Sequence, residues 1–149
     1  MKYRRLSEEE LQEMEKEFVQ YLVSNGIDAP EWKKIQKTDA AEDWILGFSD
    51  VVLQKVLEGV EFLEFRSSHE ARFFSCSSEE MNMIAMTSSD VDLTKPEEVA
   101  LAMQNPGKIE LYKGSKKYAK SRELELFEMT QTGCVISDGK LFELLKGMV

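Results

Sequence analysis

Histidine occurs once in this 149-residue chain, at position 69, and cysteine twice, at positions 76 and 134. Two cysteines and one histidine with no CxxC or HxxxH spacing cannot complete a four-ligand structural zinc site within one chain, so no metal is expected. Two distant cysteines also give no disulfide framework, which fits a reducing compartment. No apolar run approaches the ~18–20 residues needed to span a bilayer. The opening MKYRRLSEEELQEMEKEF has basic residues but no apolar core region after them and no small-residue cleavage site, so no secretory leader is predicted and the expected location is cytoplasmic. Only 3 Pro and 8 Gly, with 42% hydrophobic residues, exclude a disordered or fibrous chain.

What is present is enough for a self-sufficient core: a domain of this size buries roughly 68–70% of its unfolded surface. The sequence predicts a single α+β domain over 1–149, with N-terminal helices, a central antiparallel sheet of three to four strands, and C-terminal helices. Ser7 followed by Glu10 forms a capping box, and Leu11, Met14, Phe18, Tyr21 and Leu22 recur at helical spacing, giving a helix over Glu8 to Ser24 stopped at Asn25-Gly26. Pro30 suits the first turn of a second helix, Pro30 to Lys37. Asp39 caps a third pattern running to Gly59, in which Gly47 is a candidate bend. The period then changes. Val60 and Phe62 through Phe65, Ala71 to Ser77, and Met81 to Thr87 read as three strands with hairpin links. A short helix Glu97 to Gln104 follows, with Thr94 as a candidate cap, then a short strand Ile109 to Tyr112. Between Arg122 and Gln131 strand and helix patterns compete, and the Ser121 cap with Glu123 and Glu125 behind it favours helix. The last helix, carrying Leu141, Leu144, Leu145 and Met148, is predicted to be capped by Ser137.

Catalytic signals are incomplete. Any serine or cysteine nucleophile would need His69 as its base, and His69 falls in a polar link, Ser67-Ser68-His69-Glu70. Cys76 is one short strand away, and Cys134, between Gly133 and Val135-Ile136, reads as a small apolar filler. Asp90-Val91-Asp92-Leu93-Thr94 has the DxDxT form that resembles the nucleophile motif of haloacid dehalogenase-like phosphatases. That resemblance would make Asp90 and Asp92 the acids of a magnesium-dependent phosphohydrolase. The likeness spans five residues, lacks the apolar strand leading into the acid, and lacks the downstream acidic motif that completes the metal site. Gly114-Ser115-Lys116-Lys117 lacks the GxxxxGK[ST] spacing of a phosphate loop. No catalytic residue and no cofactor is assigned.

The clearest feature is a charge island. The chain carries −9 overall, yet Lys113, Lys116, Lys117, Lys120 and Arg122 fall within ten positions that hold no acid. With Tyr118 among them they are the candidate ligand-binding residues, because clustered like charges disfavour the compact state unless an anion meets them. The segment is either a plain solvated face or one of three anions meets it. The protein's own glutamates are one, with Glu8, Glu9, Glu10, Glu13, Glu15 and Glu17 all on the first helix. An acidic protein surface, of a partner or of a second copy, is another. Phosphate or nucleic acid is the third, and it fits poorly with a domain at −9. The reading favours a non-enzymatic interaction domain that docks an acidic protein surface.

MKYRRLSEEELQEMEKEF at the start, TKPEE in the middle and ISDGKLF near the end together resemble a family of small bacterial proteins of Bacteroidota type, built on a domain of unknown function. The resemblance covers most of the chain and implies a small cytoplasmic protein. It assigns no activity and transfers no site residue.

Overall fold

A computed structural model describes residues 2–149, apart from the side chain of Pro106. The chain divides into two compact units, Met1–Glu58 and Gly59–Val149.

The first unit is helical: α1 (Glu8–Glu13), α2 (Glu15–Ser24), α3 (Ala29–Ile35) and α4 (Ala40–Glu58). The Ser7–Glu10 capping box forms as predicted, with reciprocal backbone and side-chain bonds. The single helix expected over Glu8 to Ser24 is instead two. Met14 leaves helical geometry at φ −110°, ψ 24°, although its N–H still reaches the Glu10 carbonyl and its own carbonyl accepts from Phe18. The break is therefore a local bend with the ladder bridged across it. The second helix begins one residue before Pro30 and ends at Ile35, two short of Lys37, capped by the Asp28 carboxylate accepting from the Glu31 N–H at 2.9 Å.

Gly47 sits inside one continuous α4. A Cβ there would stand 2.8 Å from the Tyr21 hydroxyl, so the glycine makes room for an aromatic neighbour. Tyr21, Phe18, Phe48 and Trp32 pack ring against ring, with centroid separations of 5.4 Å for Tyr21–Phe48, 4.9 Å for Phe18–Phe48 and 5.3 Å for Phe18–Trp32. Residues ahead of α1 lie extended along α4. The Lys2 and Tyr3 N–H groups donate to the Asp50 carboxylate at 2.7 and 2.9 Å, and the Leu6 N–H donates to the buried Ser49 hydroxyl at 3.0 Å.

The second unit is built on a five-stranded sheet in the order β4-β3-β2-β1-β5, with every neighbour antiparallel. Its elements are β1 (Phe62–Arg66), β2 (Glu70–Cys76), β3 (Glu80–Thr87), α5 (Pro96–Gln104), β4 (Glu110–Lys117), α6 (Arg122–Gln131), β5 (Val135–Ser137) and α7 (Lys140–Lys146). The three central strands were legible as hairpins. The expected total of three to four strands is corrected to five, and helices also lie between strands rather than only at the ends. Two edge strands account for the difference. The strand expected to stop at Tyr112 runs on through the lysines to Lys117, and β5 is only three residues long.

One sheet face is apolar where α5 and α7 cover it: Ala71, Phe73, Ile84 and Met86 are buried with Val99, Ala102, Phe142 and Leu145. The opposite face carries Leu63, Phe74, Cys76 and Met81, also buried. Neither expected cap serves its helix. The residue before α5 is Lys95 rather than Thr94, and that before α7 is Gly139 rather than Ser137. Gly139 adopts φ +80°, and a Cβ there would stand 2.4 Å from the Phe62 ring, so only glycine fits the turn. Ser137 instead ends β5, where its hydroxyl donates to Glu64 at 2.8 Å and accepts from the Gly139 N–H at 3.0 Å.

Candidate functional site: an edge strand and its groove

The charge island forms the exposed edge strand β4 and the turn into α6. Lysine and glycine are poor strand formers, but an edge strand needs only one paired side, and lysines on a free edge discourage other strands from adding to it. β3 holds the whole length, from Thr87 opposite Glu110 to Glu80 opposite Lys117. The backbone groups on the far side of β4 have no partner among the described residues.

The six candidate residues part company here. Ser121 caps α6 as predicted, its hydroxyl accepting from the Leu124 N–H at 3.4 Å. The first turn of that helix then presents Glu125, whose buried carboxylate accepts from the Lys116 amine at 2.8 Å and from the Lys120 N–H at 3.0 Å. Burial works against ionisation of this carboxyl, but the bonds from Lys116 and the Lys120 amide outweigh it, and Glu125 titrates below the ordinary range. Lys120 pairs with Glu128 at 2.6 Å, which raises its own pKa. Arg122 reaches across the end of the sheet to donate to the carbonyls of Val60, Cys76 and Ser77. Tyr118 donates its hydroxyl to the Ser77 carbonyl at 2.9 Å, and burial pushes its pKa up to about 12.

Four of the six are thus engaged within the fold, and the glutamates they meet belong to α6. Two acids of α1 are engaged elsewhere: Glu10 accepts from Arg4 at 2.8 Å and Glu8 meets Arg5 at 3.0 Å. Lys113 and Lys117 make no ion pair or side-chain hydrogen bond among the described residues. By register both project from the face that α7 partly covers, Lys113 opposite Ile84 and Lys117 opposite Glu80.

Beside Lys113 a groove of about 620 Å³ runs between β4 and α7. Its floor is a polar row set by strand register: Ser75 opposite Asn82, and Asn82 opposite Ser115. Those three side chains lack hydrogen-bond partners among the described residues. Phe142 and Ile84 form an apolar wall, while Lys146 and Glu143 stand on the α7 side. Ser75, Asn82 and Lys146 escaped the sequence reading because they are scattered over more than seventy positions and meet only through register and helix packing. The available signal was a polar residue on an apolar strand face, at Ser75 and again at Asn82.

The DxDxT stretch folds as a surface turn. Asp92 accepts from the Thr94 N–H at 3.0 Å and from its hydroxyl at 2.6 Å, and these bonds lower its pKa. Asp90 borders an open depression of about 630 Å³ together with the exposed His69 and Lys108. Among the described residues no three His, Cys, Asp or Glu side chains converge as metal ligands would. Cys76 is buried and its thiol is pushed up to about 11 by that burial, which leaves it protonated and a poor nucleophile. Cys134 is half-buried. Among the described residues no helix is long and apolar enough to cross a membrane.

No curated protein and no solved structure matches the chain. A family match does cover it from end to end, residues 1–149, and by that match the protein belongs to DUF6495, a family of unknown function.

Proposed function

We propose that the protein is a non-enzymatic binding module that accepts an acidic, extended segment of a partner protein along the free edge of β4. The observation that carries this reading is the eight-residue edge itself, with backbone groups unpaired on its outer side and two lysines on one face, Lys113 and Lys117, that make no ion pair among the described residues. An extended chain adding to such an edge gains main-chain hydrogen bonds, and its alternate side chains meet whatever flanks the strand. Here they meet two amines and the polar groove of Ser115, Asn82 and Ser75. Carboxylates suit the amines and the groove hydroxyls and amide. A second copy of β4 does not, because antiparallel self-pairing would set lysines against lysines.

The test uses the full-length protein and a fluorescein-labelled peptide alternating Glu with Val and Thr, beside a control with Lys in place of Glu. The acidic peptide is expected to bind with an affinity that falls as salt rises, and to shift the β4 backbone amides in a ¹⁵N spectrum. The double variant Lys113→Glu, Lys117→Glu should lose at least about tenfold in affinity, since two attractive contacts become repulsive. Equal binding of the two peptides, or shifts confined to residues away from β4, would remove the proposal.

A further inference from the structure

The helical unit holds a second, chemically opposite surface. Between α2 and α3 lies a groove of about 670 Å³ whose lining is mainly apolar, from Leu11, Phe18, Leu22, Ile27, Trp32 and Ile45. The edge-to-face pair Phe18–Trp32, 5.3 Å between centroids, shapes its floor. Its apolar character continues onto the outside of α2, where Val19 and Val23, one turn apart, are 53% and 59% exposed. A charged rim surrounds this surface: Glu15 and Asp28 are acidic, Glu8 is acidic but already meets Arg5 at 3.0 Å, and Lys33 is the single base among the lining residues. Helices of soluble proteins normally turn such a stripe towards other apolar groups.

We infer that this groove takes a basic amphipathic helix of a partner protein. An incoming strand would find no edge to pair with, since the unit is made of helices, whereas a helix satisfies its own backbone and needs only an apolar floor. The acidic rim selects cations on the flanks of that helix, at the positions beside its apolar stripe. A second copy of a chain carrying −9 is the poorer occupant, because its net charge repels the same rim. The surface is distinct from β4 and independent of it: one prefers an acidic strand, the other a basic helix.

The probe is a synthetic helical peptide with Leu at i, i+3, i+4 and i+7 and Lys on its flanks, titrated into the full chain. Two controls accompany it, one with Glu for every Lys and one with the same composition scrambled. Trp32 lies in the groove, and the expected result is a saturable change in tryptophan fluorescence for the basic helix, with both controls at least about tenfold weaker. Val19 and Val23 are exposed, so Val19→Gln with Val23→Gln removes apolar contact without changing charge; it should leave the fold intact by circular dichroism and reduce binding by about tenfold or more. Glu15→Lys should weaken it several-fold and flatten its salt dependence. Equal binding of the scrambled peptide, or unchanged binding to the valine double variant, would overturn the proposal by reducing the effect to bulk charge attraction. Concentration-dependent self-association that the same double variant abolishes would overturn it in favour of a second copy.

Discussion

The two edges of the sheet solve the problem of an unpaired strand in opposite ways. β4 is eight residues long and lined with lysine; its far end is pinned through Lys116 to Glu125, and Arg122 just beyond it bonds the end of β2. β5 is three residues long and apolar, with Val135 and Ile136 61% and 57% exposed, and it is held at one end by the turn at Gly139. A long flat edge invites other strands, so it needs charge. A short one offers too few ladder bonds to recruit a partner and can tolerate bare valine and isoleucine. The lesson is that the charge island need not be read only as a ligand site. Part of it is what any long edge requires, and the functional reading rests on the two lysines left over after the fold has used the rest.

That contrast can be broken from the β5 side first. Gly139→Ala forces a left-handed conformation on a residue with a side chain and drives its Cβ into the Phe62 ring, so a loss of about 3 kcal/mol is expected in urea unfolding, with β5 and α7 detached. Breaking the β4 side costs less. Arg122→Met leaves the Val60, Cys76 and Ser77 carbonyls without their shared donor, and about 2 kcal/mol should be lost in the same assay. Glu125→Gln weakens the pin on Lys116 and should cost about 1 kcal/mol.

Acid probes that same pin. Because Glu125 has its pKa depressed in the fold, its ionised form contributes stability above the ordinary carboxylate range, and that contribution disappears as pH falls below it. Hydrogen exchange at pH values below about 4 should therefore show the Lys116 end of β4 opening before the β2–β3 ladder does. The smallest effect on stability, within about 0.5 kcal/mol, is expected for Lys113→Thr with Lys117→Thr. That change strips the charge guard from a good β edge, so sedimentation should show more self-association than in the native chain. If the double variant stays as dispersed as the native protein, the lysines are not what protects the edge.

The sequence made the central hairpins and α6 readable because each carried a local signal: short apolar-rich runs bounded by polar links in β2 and β3, and Ser121 followed by Glu123 and Glu125 in α6. It concealed both edges for one physical reason. Edge strands need neither alternation nor β-branched residues, so Lys-Gly-Ser-Lys-Lys reads as a loop, and three residues before Asp138-Gly139 read as the approach to a turn. The bend at Met14 was invisible because apolar spacing continues across it. In the site, Lys113 and Lys117 were named with the rest of the island, but nothing in the order of residues separates them from Lys116 and Lys120. For Lys116 that separation comes from strand parity, which sends alternate side chains to opposite faces, and for Lys120 from the end of the strand at Lys117. The groove floor was hidden more deeply, since Ser75, Asn82 and Ser115 become neighbours only once two registers are fixed.

The extended segment ahead of α1 has a practical consequence. Arg4 and Arg5 are adjacent trypsin sites, yet their side chains are engaged by Glu10 and by Glu8 and Glu42, and the flanking backbone is tied to Asp50 and Ser49. A protease needs that stretch free and extended in its own cleft, so cleavage there reports release of the strap from α4. Asp50→Ala would cut two of those ties at once, turning residues 2–6 into a built-in reporter of whether the helical unit is intact.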